Sequence, residues 1–176
     1  MPFTPFHMGP GLLIKSLLGG AFSLMIFGWC QILMDLQPLF VMISGAGHLH
    51  GFSHTFIGST GIALVSAISG KPLVNWIIFS KSIGLRKEDR KLLGLDSKIG
   101  WLVALISSLI GSYSHVVLDA IMHSDVQAYY PFSLENPYLD FISIEMLHNF
   151  CLFSGVLGLA ILILVRYIKH KQNNYS

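Results

Sequence analysis

Apolar residues run along this chain in stretches long enough to cross a bilayer, for which ~20 mostly apolar residues suffice. Ile99 to His123 is one such stretch, uncharged until Asp119, and Met146 to Ile168 is another, ending in a tail with Arg166, Lys169 and Lys171. A third runs from Thr55 to Phe79 and is interrupted at Gly70-Lys71-Pro72. Its first part, Thr55 to Ser69, is short for a span and predicts tilt or local thinning of the bilayer. Pro72 to Phe79 then reads as an interfacial turn of helix with Trp76 at head-group level. Gly11 to Met34 is apolar apart from Lys15 and Gln31 but is broken by Gly19-Gly20. It reads either as one span or as two half-helices that dip in and return, the second being allowed only where protein covers the irregular backbone. The pattern predicts an all-α, polytopic membrane helical bundle of about four spans, with a candidate re-entrant N-terminal segment, as a single membrane-embedded domain over residues 1–176.

Composition narrows the class. Hydrophobic residues make up 53% of the chain and charged ones 11%, with a mean hydropathy of +0.64. A soluble domain carries about 25% charged residues, so a soluble surface is excluded. A net charge of +2 gives no polyanion signal, and no nucleic-acid partner is expected. Cys30 and Cys151 form no CxxC motif and imply no disulfide framework. The start, Met1-Pro2-Phe3-Thr4-Pro5, lacks the basic region of a cleavable signal peptide.

Charge placement predicts orientation. Six of the 11 Lys and Arg lie between Lys81 and Lys98, and three lie in the C-terminal tail. The segments Asp35 to Thr55 and Ser124 to Leu147 contain none. By the positive-inside rule, the basic loop 80–98 and the C-terminus are cytoplasmic and the other two segments face outwards.

The ionisable residues gather on the outward side. Asp35, Asp119, Asp125, Glu135, Asp140 and Glu145 all lie in or beside the outward segments, and so do His48, His50, His54, His115, His123 and His148. An Asp at the bilayer centre costs at least ~2.5 kcal/mol, so such residues imply a site. His115 and Asp119 are four apart and share a helical face, as do Glu145 and His148, three apart. With Asp35 at the outer end of the first apolar region and His54 opening the next, four segments supply N and O donors near one interface. Imidazole with carboxylate suits Zn²⁺, Mn²⁺ or Fe²⁺, and the absence of thiolate argues against a closed structural zinc site. For His48, His50 and His170 an ordinary interfacial role is the simpler reading. His115 with Asp119 as a mere packing pair leaves His54, His148, Asp35 and Glu145 unexplained. A haem bundle with paired imidazoles is an alternative, but it gives the acids no ligating role. A proton-relay or metal-binding transporter-like protein is another, and it needs polar residues in the inner halves of the spans.

The stretches Pro5-Phe6-His7-Met8-Gly9-Pro10, Asp35, His50-Gly51-Phe52-Ser53-His54-Thr55, Ser114-His115-Val116-Val117-Leu118-Asp119 and Tyr130-Pro131-Phe132 resemble the YdjM-type bacterial inner-membrane proteins, a group of metal-dependent hydrolases. The resemblance covers most of residues 5–133. That group is in turn similar to zinc-dependent phospholipase C and P1 nuclease, which hold a cluster of zinc ions. Carried over, the resemblance implies metal ligation by His7, Asp35, His54, His115 and Asp119, with His123, Glu145 and His148 as later ligands, and two or three zinc ions. Two positions depart from the pattern: Gln37 stands where a second Asp is common, and Glu145 precedes His148 in place of a His-then-Glu order. If His7 is a ligand, the N-terminus reaches the outward site, which the re-entrant reading allows. The implied activity is that of a zinc-type hydrolase, a phosphoesterase acting on a lipid or lipid-linked substrate at the outer face of the inner membrane. Asp119 and Glu145 would be its catalytic carboxylates, and Tyr113, Tyr129, Tyr130 and Phe132 could line lateral access from the bilayer.

Overall fold

Helix ends fall where the sequence offers caps and breakers. In the computed structural model, which describes residues 6–80, 84, 86, 90, 95 and 97–173, α1 (Met8–Leu18) and α2 (Leu24–Ser44) are joined by a 3₁₀ turn at Gly19–Ala21. A second 3₁₀ turn, Phe52–His54, precedes α3 (Phe56–Phe79), followed by α4 (Trp101–Met122) and α5 (Ile144–Asn173). Ser23 caps α2 by accepting from Ile26 N (3.3 Å), and Thr55 caps α3 by accepting from Gly58 N (2.9 Å). Gly45, at φ 69°, ends α2 in the left-handed conformation that glycine tolerates best. Among the described residues there is no strand. By length and apolar character α2, α3, α4 and Ile144–Ile168 of α5 can each cross a membrane, as the apolar pattern predicts. Most of the basic loop expected at 80–98 lies outside the described residues.

The N-terminal segment resolves the two readings left open by Gly19-Gly20. α1 has 11 residues, about 16 Å of helix and roughly half a span. It turns back at Gly19, and protein satisfies the turn's polar backbone: Lys15 Nζ donates to Gly19 O (2.8 Å) and Phe22 O (2.7 Å), and Ser23 N donates to Ser107 Oγ (2.9 Å). This is the condition under which irregular backbone survives at membrane depth. Only α1 is a half-helix, however. α2 runs for 21 residues to Ser44, so Asp35 lies inside it and not at its outer end as expected. The expected interruption at Gly70-Lys71-Pro72 is likewise absent: α3 is continuous through Pro72, and residues 72–79 complete a span. Pro72 removes one backbone donor. The neighbouring turn is nonetheless fixed from outside, with Trp29 Nε1 donating to Ser69 Oγ (2.9 Å) and Lys71 Nζ 4.1 Å from the Trp101 ring.

α4 is the most buried span and packs between α2 and α3, joined to them by small polar contacts. Ser108 Oγ donates to Ser66 Oγ (3.1 Å), and Cys30 Sγ donates to Ser108 O (3.3 Å). Small residues let membrane helices approach closely, and this seam follows that rule. α5 packs chiefly on α1. There a Cβ on Gly9 would lie 1.9 Å from Cys151 O, and one on Gly158 would lie 2.6 Å from Leu13 N. The α4–α5 connection folds back over one end of the bundle, where Phe56 N donates to Ala128 O (2.8 Å), Asn136 Nδ2 to Ala120 O (2.8 Å) and Asp140 N to Ile121 O (3.1 Å).

The α1–α5 contact therefore positions the residue just before α1. Gly158→Val is expected to cost about 1–3 kcal/mol by overpacking, seen as a lowered thermal unfolding midpoint in detergent. A Cβ on Gly61 would meet nothing within 4 Å, and Gly61→Ala should not lower the midpoint.

Candidate metal centre

The folded chain brings seven of the histidines and carboxylates from five segments to one end of the bundle, around Asp119. His115 is one turn before Asp119 on α4, and its Nε2 lies 3.2 Å from Asp119 Oδ2. His54, in the 3₁₀ turn before α3, places Nε2 3.3 Å from the same oxygen, and His50 Nε2 is 3.9 Å from it. His7, delivered by the half-helix α1, places Nε2 3.5 Å from Asp119 Oδ1. Asp35, from within α2, approaches His115 Nε2 at 3.3 Å through Oδ1. His7, His50, His54, His115 and Asp119 are all buried, His54 and His115 completely.

Hydrogen bonding at the other ring nitrogen decides which face of each imidazole is available. Gln31 Nε2 donates to Gly111 O (3.0 Å), which leaves Gln31 Oε1 to accept from His115 Nδ1 at 2.6 Å. Gln37 Oε1 accepts from Ser53 N (2.9 Å) and from the Ser53 hydroxyl, so Ser53 Oγ accepts from His54 Nδ1 (2.9 Å). Asp125 Oδ1 accepts from His50 Nδ1 (2.9 Å), while Asp125 Oδ2 accepts from His50 N (3.2 Å). In each case Nδ1 carries the proton and Nε2 presents a lone pair, the arrangement by which outer partners orient metal-ligating histidines. The Nε2 atoms of His7, His54 and His115, and of His148 away from the cluster, are buried and make no hydrogen bond. His7 Nδ1 lies 3.3 Å from His115 Nδ1, so it accepts there and the His7 proton falls on Nε2, toward Asp119. Buried polar nitrogens left unbonded cost free energy, and a group that accepts lone pairs could satisfy those of His54 and His115.

A divalent cation fits that requirement, and four sets of three donors lie close enough to hold one: His7, His115 and Asp119; Asp35, His54 and His115; His50, His54 and Asp119; and His50, His123 and Asp125. The last set sits at the rim, where His123 stacks on His50 with ring centroids 4.3 Å apart. A cavity of about 380 Å³ opens there, lined in part by His48, His50, Thr55, Asp125 and Tyr130. Outside the spans, burial lowers His54, His123 and also His7, the last to about 4 with help from His115. They are thus neutral at pH 7, as metal binding needs. Burial opposes the charge on Asp125, but the hydrogen bonds from His50 outweigh it and hold that carboxyl below its ordinary range.

Of the residues singled out in the sequence, His7, Asp35, His54, His115, Asp119 and His123 come together here. Glu145 is exposed at the start of α5 and joins none of the donor sets, and neither does His148, whose ring packs on Phe6 at 4.8 Å. His48 is exposed, in keeping with an interfacial role. His50 is not interfacial: it is buried between Asp119 and Asp125. Its place was hidden because residues 45–51 are irregular, where no helical spacing applies. Gln31, Gln37 and Ser53 were also missed as positioning groups. The signal was present, since Gln31 is an uncharged polar residue in an otherwise apolar run, and Gln37 stands where the resemblance expects an acid.

The family described as YdjM inner membrane protein matches residues 12–174. No curated protein and no solved structure matches the chain.

Outer partners of metal-ligating histidines are typically worth 10–100-fold in metal affinity. Gln31→Leu removes the acceptor for His115 Nδ1 and should weaken Co²⁺ binding by about that factor while membrane insertion stays intact. His115→Ala and Asp119→Ala should abolish high-affinity binding. Equal loss of expression for all three variants would mark a structural cluster.

Proposed function

The chain belongs to the YdjM inner membrane protein family, and from that premise we propose that this multi-pass inner-membrane protein is a metal-dependent hydrolase acting on a lipid or lipid-linked phosphoester. The observation that carries the reading is the set of buried Nε2 atoms turned to Asp119 without hydrogen bonds, each ring of His54 and His115 held by an acceptor at Nδ1. His7, His54, His115 and Asp119 would hold the inner ion, with Asp35 beside them, and His50, with one free nitrogen, would complete either this site or the rim set. His50, His123 and Asp125 at the rim offer room for another. Eight such donors suffice for two zinc-type ions with open positions, the pattern of catalytic sites, and fall short of three closed ones. Mn²⁺ or Fe²⁺ would suit the same donors.

When bound, such ions supply Lewis acidity toward a phosphoryl oxygen and bring water near neutrality in pKa, to ~7. The chain's own residues do the rest. Asp119 balances the cationic centre from within the span. Asp125, at the cavity wall and 39% exposed, is ionised and, when it does not hold a rim ion, stands where it can accept a proton from a group in the cavity. It takes the place of Glu145, which the resemblance implied as a catalytic carboxylate. The segments around the site, Asp35 to Thr55 and Ser124 to Leu147, carry no Lys or Arg. Phosphate charge would therefore be met by ions and not by side chains. The positive-inside rule puts this end of the bundle on the outer face, with the C-terminus cytoplasmic.

The haem alternative is disfavoured by packing: His7 meets His115 edge to face at 4.6 Å and His54 meets His115 at 5.2 Å, which leaves a flat macrocycle no gap between these rings. The proton-relay alternative is disfavoured because the buried hydroxyls along α3 and α4 beyond the site are already engaged: Ser59 donates to Phe56 O, Ser112 to Leu109 O and Ser108 to Ser66.

The purified protein in lipid nanodiscs should release phosphate or a phosphorylated head group from a panel of phospholipids and lipid-linked phosphates. Chelator should abolish the activity and Zn²⁺ restore it. Asp119→Asn should reduce it to background and Glu145→Gln should change it by no more than a few-fold. Retained metal with no turnover on any phosphoester would leave a metal-binding protein that is not a hydrolase. A tag at the N-terminus should be accessible from the same side as a label in residues 124–143, since His7 and that segment meet at one site; opposite sides would remove His7 from it.

A further inference from the structure

Among the described residues, two groups of large apolar side chains near the site are exposed. α2 continues for nine residues beyond Asp35, to Ser44, about 13 Å of helix. Leu39, Phe40 and Ile43 on that extension point outwards, Phe40 at 68% and Ile43 at 78% exposure. The second group is in the α4–α5 connection, where Phe132 is 86% exposed and Phe141 77%, with Leu134 between them in sequence. This connection is not slack: Asn136 Nδ2 is bonded to Ala120 O and His123 O, Asp140 N to Ile121 O, and the hydroxyls of Tyr129 and Tyr138 to each other. A rigid segment that turns phenylalanines away from its own core needs an apolar medium on that side.

We infer that Leu39, Phe40 and Ile43 of α2 and Phe132, Leu134 and Phe141 of the 124–143 connection form a collar immersed in the lipid bilayer, so that the metal centre lies below the membrane surface and its cavity opens to lipid. Continuity with the spans names the occupant. Leu39 to Ile43 are the last turns of a 21-residue candidate span, whose length matches a hydrocarbon core of ~30 Å. The hydrocarbon layer therefore extends past the level of Asp35, and the connection, which is tied to the last turn of α4, lies within reach of it. Charge favours insertion by apolar burial over attraction to anionic head groups, because residues 124–147 contain Asp125, Glu135, Asp140 and Glu145 and no cation. The cavity wall carries exposed aromatic side chains of its own, Phe52 at 58% and Tyr130 at 43% exposure, and Tyr130 is two residues before Phe132 in the chain. The inference concerns where the surface lies and holds whether or not the centre hydrolyses anything.

Phe132→Cys and Phe141→Cys, each labelled with an environment-sensitive fluorophore, test it in the full chain reconstituted into phosphatidylcholine vesicles. Cys30 and Cys151 are buried, and the unsubstituted protein reports their background. Phosphatidylcholine brominated near the carbonyl end of its acyl chains should quench both labels as strongly as one at Ile163 on α5, while iodide should quench them far less than one at Gln172. The quenching should not change between low and high salt or on adding anionic lipid. Iodide quenching equal to that at Gln172, with none by brominated lipid, would place the connection in water and overturn the inference. Protection from both quenchers, with label-to-label transfer between chains, would assign the surface to a second copy and overturn it equally.

Discussion

A carboxylate inside an apolar bundle is the constraint on which the rest of this structure depends. Asp119 is buried on α4, in a chain with few charges, and an ionised carboxylate cannot be left unpaired in such surroundings. The partners supplied are imidazole nitrogens, four of them within 4 Å. The facing nitrogens of His54 and His115 lie 3.3 and 3.2 Å from Asp119 and make no hydrogen bond. The protein holds the protons of these two rings on their far sides, through Ser53 and Gln31, and so keeps the near sides bare.

Much of the architecture serves that arrangement. A full-length first helix ending at the other face would have carried His7 away, and the half-helix α1 brings it in. The short helix in turn needs Lys15 and Ser107 to cover the exposed backbone of its return. It also needs glycines at Gly9 and Gly158 to lie flat against α5. Asp35 reaches His115 because α2 runs parallel to α4 past the site and ends two turns beyond it. The irregular stretch before α3 then folds back, so that Gln37 can hold Ser53 and through it His54.

The spans were legible in the sequence because lipid imposes a simple rule, roughly 20 apolar residues without charge. The rule marked α4 and α5 closely and failed at two places for different reasons. Gly70-Lys71-Pro72 looks like a break, yet in a membrane a neighbouring helix can make good what proline removes. Asp35 looks like the end of a span, yet a charged side chain within one is tolerated when it has a buried partner, here His115. In the site, helical spacing identified His115 with Asp119, because both lie on a regular helix. It could not place His50, which depends on a loop path, and it paired Glu145 with His148 on a helix that turns Glu145 to the outside. Gln31 and Gln37 were visible as polar residues but not as hydrogen-bond acceptors, since that role exists only after α2, α4 and the 3₁₀ turn have met.

Metal content of the unmodified protein, purified in detergent after growth in metal-replete medium and read together with its absorption spectrum, bears most directly on this account. One to two tightly held divalent ions per chain, with no haem band, is the predicted result. A chain that holds no metal and takes up none when Zn²⁺ or Co²⁺ is added at neutral pH would contradict it, and the bare nitrogens around Asp119 would then need another explanation.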